Sequence, residues 1–90
     1  MKRMHIIVHG RVQGVGFRFF TQQQAEENNI KGWVRNKPDG TVEAEAEGEP
    51  QKLDTFISNI KAGSPFSKVT DVHLQEINHL KNYKQFSTVH

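Results

Sequence analysis

Ninety residues suit one small domain, taken here as residues 1–90, with a single core and a stability reserve on the order of 5–10 kcal/mol. The chain has no cysteine, which excludes a disulfide framework and a thiolate metal site; a hydrophobic core must hold it together, and the reducing cytoplasm is the expected location. Twelve basic residues against ten acidic ones give a formal charge of +2, too even a balance to argue for nucleic acid from the global field, so any binding site must be local.

The chain starts Met1-Lys2-Arg3, and the apolar run that follows is broken by His5 and His9, far short of a signal-peptide core or a membrane span. A soluble, unprocessed protein with no membrane partner is expected. Met4, Ile6, Val8 and Val12 share one face of a first strand, and His5, Ile7, His9 and Arg11 take the other. Then comes Gly10-Arg11-Val12-Gln13-Gly14-Val15-Gly16-Phe17-Arg18, with its glycines and two arginines set between a strand and a helix. A glycine-rich turn at a helix start lets backbone N–H groups converge where the helix dipole adds positive potential, so a phosphate-sized anion is the natural occupant. Arg18 falls in the first helical turn, where its planar fork of donors can reach the same anion.

Phe17 to Asn28 contains no Gly or Pro and predicts a helix whose apolar face is thin, carried by Phe17, Phe20 and Ala25 beside Thr21 and Gln24. Asn28 falls where a fourth apolar contact belongs, Asn29 suits a left-handed cap, and Ile30 folds back onto the helix. Gly32 to Asn36 and Thr41 to Glu47 form a β-hairpin about the turn Lys37-Pro38-Asp39-Gly40. In the return strand Val42, Ala44 and Ala46 point to the core. Glu43, Glu45 and Glu47 point to a solvated open face, since residues two apart on a strand lie roughly 6.6–7 Å from one another and make a poor metal cage.

Pro50 opens a second helix in which Leu53, Phe56, Ile57 and Ile60 recur at the spacing of one helix face, and Gly63-Ser64-Pro65 ends it. Val69, Val72, Leu74 and Ile77 give a further strand with an irregularity, and Phe86 to Val89 a short last strand at an edge. The order βαββαβ plus a C-terminal strand fits an α+β fold: two helices on one face of an antiparallel sheet in the split βαβ arrangement. If Gly32 to Asn36 lies beside the first strand, its end comes level with the glycine-rich loop.

The run from Gly10 to Arg18 resembles the phosphate-loop signature of the acylphosphatase family. Gly32-Trp33-Val34-Arg35-Asn36, followed by Gly40, Val42 and Gly48, is similar to that family's second signature, and both stand in the family's order and spacing. The resemblance covers nearly the whole chain. It implies a ferredoxin-like sandwich and hydrolysis of small acyl phosphates to a carboxylate and inorganic phosphate, with no metal and no cofactor. It also implies that Arg18 is the substrate-binding catalytic arginine, that Asn36 positions the attacking water, and that Arg11, Val12, Gln13, Gly14, Val15, Gly16 and Phe17 form the phosphate-binding loop. Inorganic phosphate is then both product and inhibitor, and a monomer is expected. Asn28 and Asn29 replace an apolar residue and a glycine usual in the family, and the chain end, Phe86 to His90, lacks an arginine often found there; these departures bear on packing and stability.

An acyl phosphate is a mixed anhydride with a good leaving group, so a catalyst mainly holds the phosphoryl group, neutralises its equatorial oxygens and aims water in line. A carboxamide has no useful basicity, so Asn36 can aim a water but not deprotonate it, and the substrate's own phosphate oxygen is the proposed proton acceptor. Plainer roles exist for the same residues. Arg18 could pair with Glu26 or another acid, Asn36 could cap the turn, and Trp33 could simply pack on the sheet. His5 and His9 are about 13 Å apart on an extended strand, too far to share a metal. A nucleic-acid module is the competing class, because Gly14 to Phe20 superficially matches the Gly-aromatic pattern of an RNA-binding sheet, but here the aromatics enter a helix. A non-catalytic or carbamoyl-phosphate-handling acylphosphatase-like domain, as joined to hydrogenase maturation proteins, is the alternative within the fold.

Overall fold

Alternation along the return strand sets the architecture, because Val42, Ala44 and Ala46 are all buried on one face of the sheet. The structure, a computed structural model, describes residues 1–90. In chain order it contains β1 (Lys2–Arg11), α1 (Phe17–Glu27), β2 (Lys31–Asn36), β3 (Val42–Gly48), α2 (Pro50–Ala62), β4 (Lys68–Ile77) and β5 (Phe86–Thr88). The strands lie in the order β4-β1-β3-β2-β5. One core joins Ile6 and Val8 of β1, Val34 of β2 and the apolar row of β3 to Phe17 and Ala25 of α1 and to Leu53, Phe56, Ile57 and Ile60 of α2.

Two expectations are corrected by the topology. The sheet is antiparallel across β4, β1, β3 and β2, but β5 runs parallel to β2, with Gly32 opposite Phe86 and Val34 opposite Thr88. The reason is where β4 finishes. Ile77 pairs with Arg3 at the end of the sheet where β2 also begins, so the chain re-enters from that end and must run in the direction of β2. The second correction concerns β2, which is not beside β1: β3 lies between them, and Val8, Val42 and Asn36 form a single row across the three strands.

Helix ends follow the sequence closely. Asn29 adopts the left-handed conformation (φ 55°), and the Ile30 N–H returns to the Ala25 carbonyl at 2.8 Å. Asn28 is buried, but its Nδ2 donates to the Gln24 carbonyl at 2.9 Å, so the polar group standing in an apolar position is satisfied by its own helix. In β4 the irregularity is a bulge: His9 pairs with Asp71 and Gly10 with Val69, leaving Thr70 without a partner.

The glutamate row is not a solvated face. Residues 78–85 lie along the open side of the sheet, where the Lys81 and Tyr83 N–H groups donate to the carboxylate of Glu47, which is 2% exposed. Glu45 accepts from Arg3 Nη2 at 2.7 Å and from the Tyr83 hydroxyl at 2.6 Å; the same hydroxyl accepts from Trp33 Nε1 at 3.1 Å. Glu43 bridges His5 Nε2 and Arg35 Nε. Burial pushes the Glu45 carboxyl up, yet the hydrogen bonds from Tyr83 and Arg3 outweigh it and hold the group below the ordinary value of 4.5.

Arg3 is 5% exposed, so taking the charge from its partner leaves a guanidinium badly matched. Glu45→Gln should lower the unfolding free energy at neutral pH by about 2 kcal/mol. Because the Glu45 pKa is depressed on folding, its contribution is complete above 4.5 and is lost as pH falls through the folded-state value. Urea midpoints of parent and variant should therefore draw together as pH falls below 4.5 and meet below the folded-state value. A gap that stays constant with pH would assign the loss to packing alone.

Candidate active site

The glycine-rich loop follows β1 and turns into α1 through residues that need positive φ. Gly14 (φ 70°) and Gly16 (φ 75°) are both left-handed, and a Cβ on either would meet open space, so backbone conformation and not crowding favours glycine there. Gly16 is the N-cap of α1 and provides no side-chain cap; the first helical hydrogen bond runs from the Phe20 N–H to the Gly16 carbonyl at 3.0 Å. The N–H groups of Gly14, Val15, Gly16, Phe17, Arg18 and Phe19 donate to no other group of the protein. They sit at the positive end of the helix dipole, which is an arrangement for an anion.

Arg18 stands in this first turn, half-buried, and forms no ion pair with Glu26 or any other acid. Its Nη1 makes only long contacts, 3.4 Å to the Val89 carbonyl and 3.3 Å to His90 Nδ1, so the guanidinium keeps donors available for a ligand. Asn36 ends β2. Its Oδ1 is buried and receives no hydrogen bond. The hairpin turn is closed without it, since Asp39 Oδ1 accepts from the Thr41 N–H and hydroxyl and the Lys37 N–H donates to the Thr41 carbonyl. A buried acceptor left without a partner calls for one.

Arg18 and Asn36 line one cleft of about 320 Å³ together with Val12, Gly14, Gly16 and Phe17. A sequence model of the acylphosphatase family matches residues 4–88. The chain belongs to the acylphosphatase family. The acylphosphatase of Bacillus licheniformis is 52% identical over 87 residues, 97% of this chain and 97% of that one. The crystal structure of acylphosphatase from Bacillus subtilis matches with a TM-score of 0.98 and 49% identity over 100% of both chains. The crystal structure of full-length HypF in its phosphate- and nucleotide-bound form matches with a TM-score of 0.88 and 33% identity, over 99% of this chain and 12% of that chain. No helix of the chain is long and apolar enough to cross a membrane.

Some residues of the signature stand outside the cleft. Arg11 is exposed and makes no side-chain hydrogen bond, and Val15 packs against the core. Gln13 turns away from the anion site: its Nε2 donates to the Lys37 carbonyl at 2.7 Å and the Thr41 carbonyl at 2.9 Å, tying the loop to the hairpin that carries Asn36. Conversely, Phe19, Gln22 and Thr88 line the cleft without having been singled out from sequence. Gln22 follows Arg18 by four residues and so shares its helix face, a legible signal; Thr88 arrives from β5 and carries none. The aromatics Phe17, Phe19 and Phe20 all lie on α1, so no strand presents them for base stacking.

Without Gln13 the Lys37 carbonyl still accepts from Gly40 and the Thr41 carbonyl from Lys37. Gln13→Ala should therefore cost only about 1–2 kcal/mol in urea unfolding, and Gln13→Glu, which cannot donate, at least as much. A loss no greater than that of the exposed control Gln23→Ala would show that the link to the hairpin contributes nothing to stability.

Proposed function

We propose that the free amides of the loop and Arg18 hold the phosphoryl group of a small acyl phosphate, and that Asn36 holds the attacking water. Membership of the acylphosphatase family sets the reaction: the carboxyl–phosphate bond is hydrolysed to a carboxylate and inorganic phosphate. The observation that carries the assignment of roles is the pairing of an acid-free guanidinium with an unpartnered Asn36 Oδ1 on one cleft.

The chemistry follows from the donor set. Amides and Arg18 neutralise the equatorial oxygens as charge spreads over them, and Asn36 Oδ1 accepts a hydrogen bond from water so that its oxygen faces phosphorus in line with the leaving group. The bond from water oxygen to phosphorus forms as the bond to the acyl oxygen breaks, and the electron pair leaves with the carboxylate. The water proton passes to a phosphate oxygen. The residues lining the cleft carry no carboxylate or imidazole side chain, and the imidazole that meets Arg18 Nη1 at 3.3 Å, that of His90, stands outside the lining.

The test is hydrolysis of benzoyl phosphate by the purified chain in EDTA, with inorganic phosphate as competitive inhibitor and kcat flat between about pH 5 and 8, where imidazoles titrate. Activity that is lost in EDTA and returns with Mg²⁺ or Zn²⁺, or a rate governed by an imidazole, would overturn the scheme.

Two variants separate the halves of the site. Arg18→Lys keeps the charge but loses the fork of donors, and kcat/KM should fall by roughly 10²–10³ with the fold intact. Asn36→Ala should lower kcat by roughly 10²–10³ while leaving the inhibition constant of phosphate nearly unchanged. If the alanine variant stays folded and keeps its kcat, Asn36 is a turn residue only; if phosphate binding collapses with the rate, Asn36 belongs to the anion site.

A further inference from the structure

Three cations of the sheet meet a carboxylate: Lys2 meets Glu76, Arg3 meets Glu45 and Arg35 meets Glu43. Arg11 and Lys68 meet none. Both are exposed, and they stand directly opposite each other as the last pair between β1 and β4. Like charges opposed on neighbouring strands repel, so this pairing works against the fold. The strands are nonetheless held close there: Gly10 has φ 121°, and a Cβ on it would run into the Lys68 carbonyl. Two acids at this end of the sheet are engaged elsewhere, Asp39 by Thr41 and Asp71 by the Val72 N–H and His73.

The pair stands beside the cleft. Val12, the residue after Arg11, lines it. Successive Cα atoms are about 3.8 Å apart and opposed ones on antiparallel strands about 4.5–5.5 Å, so both cations are rooted within roughly 10 Å of the cleft wall. A charge at that range is felt through water at low salt, where the Debye length is about 30 Å, and is screened at 1 M, where it is about 3 Å. No contact is required. The two charges act through their field, in whatever direction the flexible side chains lie, and add to the potential of Arg18 and the α1 N-terminus.

We infer that Arg11 and Lys68 form an unpaired cation couple that draws the phosphoryl group to the cleft without touching it, and that their mutual repulsion weakens the fold. This rests on the acyl-phosphate reading of the cleft and adds to it the means by which substrate and phosphate are collected. The chemical step is left to Arg18 and Asn36.

The test is titration of the full chain with inorganic phosphate, followed by the amide NMR signals of the loop, at about 10 mM and 1 M sodium chloride. Lys68→Gln should weaken phosphate about two- to threefold at low salt, and the double variant with Arg11→Gln about four- to tenfold; both differences should fall below about 1.5-fold at high salt. Lys68→Glu exchanges the repulsion of Arg11 for attraction, so it should raise the urea midpoint while weakening phosphate further. Damage to the fold would lower both. Lys52→Gln, at the start of α2, is the control and should change neither. A loss of affinity that persists at high salt, a loss equal to that of the control, or a Lys68→Glu midpoint that does not rise overturns the inference. A parent that binds phosphate but hydrolyses no acyl phosphate overturns the reaction and leaves the salt comparison to decide the role of the couple; a parent that binds no phosphate overturns both.

Discussion

The register that sets Val8, Val42 and Asn36 in one row across β1, β3 and β2 is the constraint on which the site rests. Two strand spacings, roughly 9.5 Å, separate the strand that leads into the loop from the strand that ends in Asn36. A sheet alone does not close that gap. The loop leaves β1 above the end of β3, and the Gln13 carboxamide fastens it to the Lys37 and Thr41 carbonyls of the hairpin turn. A slip of one residue in β3 would turn Val42 outward, move Asn36 off the row and remove the acceptors of Gln13 together. Fold specificity and site geometry are thus the same requirement in this part of the molecule.

The sheet solves a second problem on the side that carries no helix. Glu43, Glu45 and Glu47 repel one another along one strand, and the structure answers them with Arg35, Arg3 and the backbone amides of Lys81 and Tyr83. Each carboxylate meets donors of a different kind: guanidinium with imidazole, guanidinium with phenol, and peptide N–H. The segment from Asn78 to Gln85 therefore has a surface to lie on without a regular element of its own, and it delivers β5 to the edge beside β2.

Much of this was legible in the sequence, for identifiable reasons. Strict alternation from Val42 to Glu47 and the spacing of Leu53, Phe56, Ile57 and Ile60 are local patterns, and each predicts its own burial. The left-handed Asn29 and the positions of Arg18 and Asn36 at element ends were likewise readable, the last with the help of two family signatures. What stayed hidden depends on partners far along the chain. Nothing near Glu47 announces that Lys81 and Tyr83 will cover it, and nothing in Phe86 to Thr88 states that the strand runs parallel to β2. Gln13 sat inside a phosphate-loop signature, and nothing local announces that its side chain links the loop to the hairpin. The acid-free state of Arg18 also follows only from knowing that Glu26 does not reach it.

The contribution of β5 to the cleft has a kinetic side. Thr88 meets Gln22 across 66 residues, and Arg18 reaches Val89 across 71. Closing loops of that span is entropically slow, and contacts of such long separation form late relative to hairpins and helices. Arg18 is therefore in place as part of a local helix early, while the wall that completes its surroundings depends on pairings between the two ends of the chain. Competence for binding is tied to a long-range step of assembly, and partly folded chains with a formed α1 and hairpin still lack a finished cleft.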